Sequence, residues 1–214
     1  MKRLYYLSVF FLLFLLALPV SGCRNHSTSS GSTGLGHTDE VHPQIESGDL
    51  LNYDKSIPVI LGTSEVDKDK VSLLIEKSQY RLTVLYDGES IKQYPVVFGG
   101  NIEDDKLMQG DGCVPEGIFR VQDLYPHSNW SKFIWIDYPN EESWRKHNQA
   151  KQEGRIPEDA GIGGEIGIHG GPEDEDYLIE EGTNWTGGCT AMKRADVDEV
   201  YGIVQVGTIV ETIR

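Results

Sequence analysis

The sequence predicts a mainly β domain with one or two short helices, placed behind an N-terminal export segment. From residue 71 onward, short runs of alternating apolar residues are separated by turn signals such as Asp87-Gly88. This pattern is typical of antiparallel strands joined by tight turns. Two stretches, 141–153 and 194–204, have the composition or the spacing of helices. We therefore predict a mainly β fold with a minor helical part.

The N-terminus is organised like a secretory signal peptide. Lys2 and Arg3 precede an apolar run over 7–20 that is too short to span a bilayer. The run ends in Ser21-Gly22-Cys23, which resembles the lipobox of bacterial lipoproteins, where the chain is cleaved before a cysteine that is then acylated. The resemblance implies a signal peptide over 1–22 and a lipid anchor on Cys23 that holds the chain at a membrane. The alternative is a plain cleaved signal with an incidental cysteine.

Residues 23–66 are predicted to form a tether and lead-in. The part over 25–36 is rich in Ser, Thr and Gly, which bury too little apolar surface to offset the cost of ordering the chain. Over 37–66 the apolar pair Leu50-Leu51 and the run 57–61 are candidates for docking on the domain, and this part is left open. The domain is predicted over 67–214, which is long enough for one core.

The charge of the chain argues against nucleic-acid partners. Cleavage before Cys23 removes Lys2 and Arg3 but no acidic residue, which changes the formal charge from −15 to about −17. Such a charge repels polyanions. The acidic run 173–176 is interpreted as a solvated face. The histidines His127, His147 and His169 lack the spacing of a zinc site, so we predict no metal and no cofactor.

The strands and helices of the domain are predicted in order along the chain. The strands are expected over 71–77, 80–86, 91–100, 115–121, 133–139, 166–169 and 207–213. The first helix is expected over 141–153, closed by Gly154. The second is expected over 194–204, where apolar residues recur at helical spacing: Val197, Val200, Tyr201 and Val204.

A histidine and a cysteine near the end of the chain are the candidate catalytic pair. His169 ends an apolar strand, and Cys189 follows two glycines. A nucleophilic thiol needs a nearby base, and glycines let backbone N–H groups approach a developing oxyanion. Free cysteines are, however, often small buried hydrophobes, and Cys189 could instead form a disulfide with Cys113 in an oxidising compartment.

The residues around Cys189 have predicted supporting roles. A thiol is mostly protonated at neutral pH, so an imidazolium or a helix N-terminus must stabilise its thiolate. The candidates are His169 and the helix expected after Met192. Gly187 and Gly188 allow the N–H groups of Gly188 and Cys189 to form an oxyanion hole. Thr186 either orients His169 or the substrate, or its hydroxyl satisfies a turn, and both interpretations stay open.

The chain resembles the L,D-transpeptidase catalytic domain, the YkuD-type fold. The signature is His169-Gly170, fifteen intervening residues, and then Thr186-Gly187-Gly188-Cys189. Further similarities are found over about 71–214, at these positions: Asp105-Lys106, Gly110-Asp111, Pro115-Glu116-Gly117, Tyr138-Pro139-Asn140, 163–170 and 206–211. The resemblance implies a β-sandwich and a role in building the cell wall and cell shape.

In this family the cysteine attacks a carbonyl of a peptidoglycan stem peptide, between an L-residue and a D-residue, and passes the acyl group to an amine or to water. The resemblance implies that Cys189 is the nucleophile, His169 the general base and Gly188 an oxyanion donor. Tyr138, Gly170 and Trp185 are candidates for substrate contact.

Two positions depart from the commonest form of the family. The frequent histidine before Gly-Cys is Gly187 here, and the Arg or Asn two residues after the cysteine is Ala191. The expected activity is L,D-transpeptidation of stem peptides by an exported, lipid-anchored enzyme. The alternatives are an L,D-carboxypeptidase or a hydrolase that cuts wall-linked peptides, and a non-catalytic wall-binding lipoprotein.

Overall fold

A computed structural model describes residues 49–214 of the chain. The predicted signal peptide, Cys23 and the tether up to residue 48 lie outside the described residues. Among residues 49–214, none of the helices has both the length and the apolar composition needed to span a lipid bilayer.

Within the described residues, eight strands form one sheet, and the prediction of a mainly β fold is confirmed. The strands are β1 Val71–Glu76, β2 Arg81–Tyr86, β3 Glu89–Pro95, β4 Gly117–His127, β5 Ser131–Ile136, β6 Gly167–Gly170, β7 Thr190–Met192 and β8 Ile209–Ile213. Their order across the sheet is β3-β2-β1-β8-β4-β5-β6-β7. Four helices accompany them: α1 Ile57–Leu61, α2 Glu141–Gln152, α3 Tyr177–Glu180 and α4 Arg194–Ile203.

The first three strands form the antiparallel meander that the alternating pattern predicts. In β1, Val71, Leu73 and Ile75 are buried and alternate with half-buried residues. Asp87 and Gly88 both have positive φ, 52° and 83°, as a two-residue hairpin turn requires. The last strand, β8, then lies beside β1 in a parallel pairing and beside β4 in an antiparallel one. The C-terminus thus fills the centre of the sheet.

Strand β4 joins the two halves of the sheet. Its first part, 117–120, pairs with β8, and the part from Val121 to His127 pairs with β5. The register shifts between Val121 and Asp123, and such irregularities bend a strand. One long strand therefore serves two neighbours at different places along its length.

The chain beyond β3 brings the two ends of the sheet together. Val97 and Ala191 form an antiparallel bridge, with N–H to O distances of 2.9 Å and 2.8 Å. The backbone N–H groups of Trp185 and Thr186 both donate to the Phe98 carbonyl at 3.0 Å. Because β3 is one edge of the sheet and β7 the other, these contacts close the sheet around a core that includes Leu82, Val84, Tyr94, Phe98, Ile134, Ile168, Met192 and Val210.

Both predicted helices are present. Helix α2 begins after Asn140, whose side chain accepts a hydrogen bond from the Ser143 N–H at 3.0 Å, a typical N-cap. Helix α4 buries Val197 and Val200 completely and packs on β5 and β6. The short helices α1 and α3 and the three-residue strand β7 were not expected from the sequence.

The described part of the lead-in packs on the domain. Leu50 is buried and Ile57 is fully buried. The Ile57 N–H donates to Glu199 on α4 at 2.8 Å, and the Tyr53 hydroxyl donates to Asp196 at 2.8 Å. Ile57, with Tyr53 packed beside it, therefore belongs to the core that the sequence assigned to 67–214.

Gly99 is expected to be essential for closing the sheet. A Cβ at this position would lie 2.1 Å from the Gly112 carbonyl oxygen and 3.0 Å from that of Thr186. Gly99→Ala should lower the free energy of unfolding by at least about 1–3 kcal/mol, the usual cost of overpacking. Urea unfolding followed by circular dichroism measures it. Gly100→Ala is the matched control, because a Cβ there meets nothing within 4 Å; equal losses in the two variants would contradict this account of the closure.

Candidate active site

Strand β6 carries the candidate base, and the candidate nucleophile directly precedes the neighbouring strand β7. In their parallel pairing Ile168 lies opposite Thr190, and His169 lies opposite Ala191. Extending this register by one residue puts Cys189 beside Gly167. Because side chains alternate between the two faces of a sheet, this register predicts that Cys189 points to the same face as His169, with their Cα atoms roughly 8 Å apart.

The His169 ring is fixed by one hydrogen bond and three aromatic side chains. Nδ1 lies 2.9 Å from the Gly170 carbonyl oxygen. A carbonyl only accepts, so Nδ1 carries the proton and Nε2 is left as the basic nitrogen. Trp130 stacks on the ring at 4.3 Å and Phe133 at 5.8 Å, and Trp185 meets it edge-on at 5.5 Å between centroids. The ring is thereby held in one orientation and one tautomer.

Burial keeps His169 neutral. The residue is 2% exposed, and this loss of hydration lowers the pKa of His169 from 6.5 to about 4, against the opposing effect of the Gly170 hydrogen bond. At neutral pH the imidazole is therefore unprotonated, and its burial also makes it a weaker base than a free histidine.

The Cys189 thiol is partly buried and protonated. Its Sγ lies 3.6 Å from the Glu165 carbonyl oxygen. Burial raises the pKa of the Cys189 thiol, while a backbone hydrogen bond from Gly167 and the charge of Lys106 act to lower it. At neutral pH both the Cys189 thiol and the His169 imidazole are therefore uncharged.

The helix that follows Met192 is further from the thiol than the sequence suggested. Strand β7 and Lys193 separate Cys189 from the first residue of α4, about 13 Å of extended chain. The N–H of Arg194 at the start of this helix donates to Asp176 at 3.1 Å. Asp176, and not the thiol, therefore occupies the helix N-terminus.

The loop before Cys189 is organised by Thr186. The Thr186 hydroxyl donates to the Cys189 carbonyl at 2.7 Å and accepts from the Gly188 N–H at 3.3 Å. Thr186 thus satisfies the turn, the second of the two interpretations left open by the sequence. Gly188 has a φ of 135°, a backbone conformation that glycine adopts far more readily than other residues. Gly187 is exposed, and a Cβ there would meet nothing within 4 Å.

Comparison with known families gives a match over most of the domain. Residues 70–212 match the family described as YkuD, L,D-transpeptidase catalytic domain. The chain belongs to this family. Among curated proteins the comparison finds no match.

The comparison with solved structures finds, among others, a cell shape determining protein, the protein Bd1075 and an L,D-transpeptidase. Pgp2, the helical cell shape determining protein of Campylobacter jejuni, is 23% identical, with a TM-score of 0.49 over 66% of this chain and 46% of Pgp2. Bd1075 of Bdellovibrio bacteriovorus is 21% identical, with a TM-score of 0.47 over 67% of this chain and 48% of Bd1075. An L,D-transpeptidase of Mycobacterium smegmatis is 14% identical, with a TM-score of 0.44 over 68% and 59%. The matched region spans about half the length of the first two proteins.

The three residues expected to contact substrate occupy different environments in this YkuD domain. Tyr138 is 4% exposed, and its hydroxyl donates to the Ile162 carbonyl at 3.1 Å, which supports a packing role. Gly170 is also buried, and a Cβ there would lie 2.6 Å from the Trp130 carbonyl oxygen, so its small size serves strand packing. Trp185 lies against His169, and its indole N–H has no acceptor among residues 49–214. Of the three, Trp185 is the residue whose side chain contacts His169.

Both described cysteines are free, so the alternative of a Cys113–Cys189 disulfide is not realised in the structure. Cys113 is 1% exposed, and burial raises the pKa of its thiol to about 11. A cavity of about 590 Å³ adjoins Cys113 and is bordered by Asp111, Lys146 and Arg155, but neither Cys189 nor His169 lines it. Within residues 49–214, no group of three or more His, Cys, Asp and Glu side chains is arranged to hold a metal ion.

Three residues at the site had no assigned role from the sequence. Trp130 and Phe133 reach His169 because β5 pairs with β6 and Phe133 lies opposite His169. The sequence alone does not show that β5 lies beside β6, so the contacts of Trp130 and Phe133 with His169 could be identified only once the strand order was known. Lys106 belongs to a segment that resembles the family, but its approach to the loop of Cys189 depends on how the 96–116 connection folds.

The low pKa of His169 predicts a loss of stability in acid. Between pH 6.5 and pH 4 the unfolded chain binds a proton at this histidine that the native protein excludes. The stabilisation is therefore complete above pH 6.5 and is lost as the pH falls towards 4, by about 3 kcal/mol. The free energy of unfolding, measured in urea across this pH range, should fall by about 3 kcal/mol more in the wild type than in His169→Gln. Parallel pH dependences in the two proteins would contradict a buried neutral His169.

Proposed function

We propose that this protein is a cysteine-dependent L,D-transpeptidase that acts on peptidoglycan stem peptides. The observation that carries the proposal is the register of β6 and β7, which directs Cys189 and His169 to one face from adjacent strands. Membership of the YkuD family supplies the substrate class. The free thiol and the fixed tautomer of His169 meet the requirements of nucleophilic catalysis.

The reaction begins with proton transfer from the Cys189 thiol to Nε2 of His169. Sγ then bonds to the carbonyl carbon between the L-residue and the D-residue, and the C=O electron pair moves to oxygen. When the tetrahedral intermediate collapses, the C–N bond breaks and the amine of the terminal D-alanine leaves with the proton from His169. An acceptor amine, or water, next attacks the thioester and gives its proton to His169, which restores the thiol.

The backbone of the loop would stabilise the oxyanion. The N–H groups of Gly188 and Cys189 are the proposed donors. The present partner of the Gly188 N–H is the Thr186 hydroxyl at 3.3 Å, a long contact that a charged oxygen would replace favourably. Trp185, whose ring lies edge-on to His169, is the proposed side-chain contact for the stem peptide.

Hydrolysis is the second candidate outcome. Ala191 is fully buried and bridges to Val97, so no long polar side chain stands where many family members carry Arg or Asn. Gly187 likewise presents no side chain beside the nucleophile. These two positions offer no side chain that would hold an acceptor amine, and transfer to water would make the enzyme an L,D-carboxypeptidase or a hydrolase of wall-linked peptides. A non-catalytic wall-binding role is the third candidate.

We further propose that the protein is exported and anchored through lipid on Cys23, so that the domain faces the wall. The support is the order of basic residues, apolar run and Ser21-Gly22-Cys23 at the N-terminus. The acidic charge of the chain fits a partner that is not nucleic acid.

Incubation with tetrapeptide muropeptides tests the proposed activity. Mass spectrometry should detect loss of D-alanine, with cross-linked dimers if an amine is the acceptor and free tripeptide if water is. Cys189→Ala should lower the rate at least about a thousandfold, because the nucleophile is lost. Cys113→Ala is the matched cysteine control and should stay active. Full turnover by Cys189→Ala would overturn the mechanism, and a folded wild type without any Cys189-dependent product would favour the wall-binding alternative.

Expression of the full chain in a bacterial host tests the anchor. The wild type should fractionate with membranes and be extracted by detergent, and Cys23→Ser should appear in the soluble exported fraction, because the acyl chains that supply membrane affinity are lost. Metabolic labelling with an alkyne fatty acid reports acylation directly. Unchanged membrane association of an unlabelled Cys23→Ser protein would count against lipidation at this residue.

A further inference from the structure

A buried lysine lies behind the loop of Cys189 and is not used by the proposed reaction. The Lys106 side chain is 3% exposed. Its ammonium donates to Asp111 Oδ1 at 2.8 Å and to the Met108 carbonyl at 3.1 Å. Lysine is rarely buried in this way, because its charge loses hydration.

The lysine ammonium reaches the residue that precedes the nucleophile. A Cβ on Gly188 would lie 3.5 Å from Lys106 Nζ and 2.7 Å from the Cys113 carbonyl oxygen. The positive charge therefore lies directly against the backbone of Gly188, which is the proposed oxyanion donor. Two of the three ammonium protons are accounted for by Asp111 and Met108, which leaves one.

Folding of the loop does not explain why a lysine is needed here. Asp111 accepts hydrogen bonds from the backbone N–H groups of Leu107, Met108 and Cys113, at 2.8, 2.9 and 3.1 Å. These three bonds would hold the loop and its carboxylate without Lys106. Burial works to raise the pKa of Asp111, but the hydrogen bond from Lys106 and those from the backbone keep it below its usual value.

The thiol chemistry creates a need for a fixed positive charge. His169 is neutral because it is buried, so no imidazolium is present before the proton is transferred. During the reaction a negative charge appears on Sγ and then on the acyl oxygen. Of the charged groups near Cys189, Lys106 favours this charge, whereas Glu165 opposes it. Asp111, the counterion of Lys106, is the third charged group of this cluster.

We propose that Lys106 is a positioning residue that holds a buried positive charge behind Gly188 and stabilises the negative charge formed at Cys189 and at the oxyanion. Asp111 fixes the ammonium in place and, as its counterion, weakens the electrostatic effect of the ammonium on the Cys189 thiol. The inference rests on the proposed thiol chemistry at Cys189. It adds an electrostatic role for the 96–116 connection, which otherwise serves only to close the sheet.

Ionisation of the Cys189 thiol, followed by its alkylation with iodoacetamide, tests this role without any substrate. The rate is measured against pH, and the modified peptide is identified by mass spectrometry to separate Cys189 from Cys113. Lys106→Met should raise the midpoint of the profile by about one to three pH units, the usual effect of a close opposite charge. Asp111→Asn should lower it, because the ammonium loses its counterion.

Lys77→Met is the matched control. Lys77 is also fully buried, pairs with Glu116 at 2.7 Å and donates to the Asp104 carbonyl at 2.7 Å in the same connection. Its replacement should disturb the fold to a similar degree and leave the Cys189 midpoint unchanged. If Lys106→Met does not fold, the double variant Lys106→Met/Asp111→Asn, which removes both charges, should titrate above Asp111→Asn.

An unchanged Cys189 midpoint in folded Lys106→Met, or shifts of the same direction in Lys106→Met and Asp111→Asn, would overturn the proposal. Muropeptide turnover is scored separately. If the alkylation midpoints shift as expected but the wild type yields no Cys189-dependent product, the proposed function fails while the role of Lys106 stands. If the wild type turns over muropeptides but the alkylation midpoints do not move, the proposed function stands and the role of Lys106 fails.

Discussion

The bridge between Val97 and Ala191 is the contact on which the rest of the molecule depends. It joins the chain leaving one edge of the sheet to the strand at the other edge, and so converts an open sheet into a closed one. The same residue, Ala191, pairs with His169 on its other side. Closure of the sheet and the placement of the candidate pair therefore depend on the same strand, because β7 pairs with Val97 and with His169 and begins directly after Cys189.

A second feature of the site is the burial of His169, to which the β5–β6 pairing and the closing segment both contribute. His169 is enclosed by Trp130, Phe133 and Trp185, and loss of hydration disfavours the charged forms of both the imidazole and the thiol. Both groups are neutral at neutral pH, and in the proposed reaction negative charge would develop first on Sγ and then on the acyl oxygen. In such an environment a fixed charge acts more strongly than it would in water, which gives the buried ammonium of Lys106 its importance.

Local patterns predicted the elements whose signals are local. The hairpin at Asp87-Gly88 followed from its turn residues, and α4 followed from the spacing of Val197 and Val200, because both depend on a few consecutive residues. Strand β7 was missed because three residues carry no periodicity. The lead-in around Ile57 was left open, since a short apolar run is equally compatible with a tether and with docking.

The sequence by itself determined the mainly β class, the candidate pair of His169 and Cys189, and the family resemblance, because alternation and motif residues are written along the chain. Only the tertiary structure decided which residues surround the pair. Trp130 and Lys106 come from connections far from Cys189 in sequence; the strand order brings Trp130 to His169, and the folding of the 96–116 connection brings Lys106 to Gly188. It also decided that Thr186 serves the turn and that Tyr138 is buried, because both outcomes depend on packing between segments that no local pattern relates.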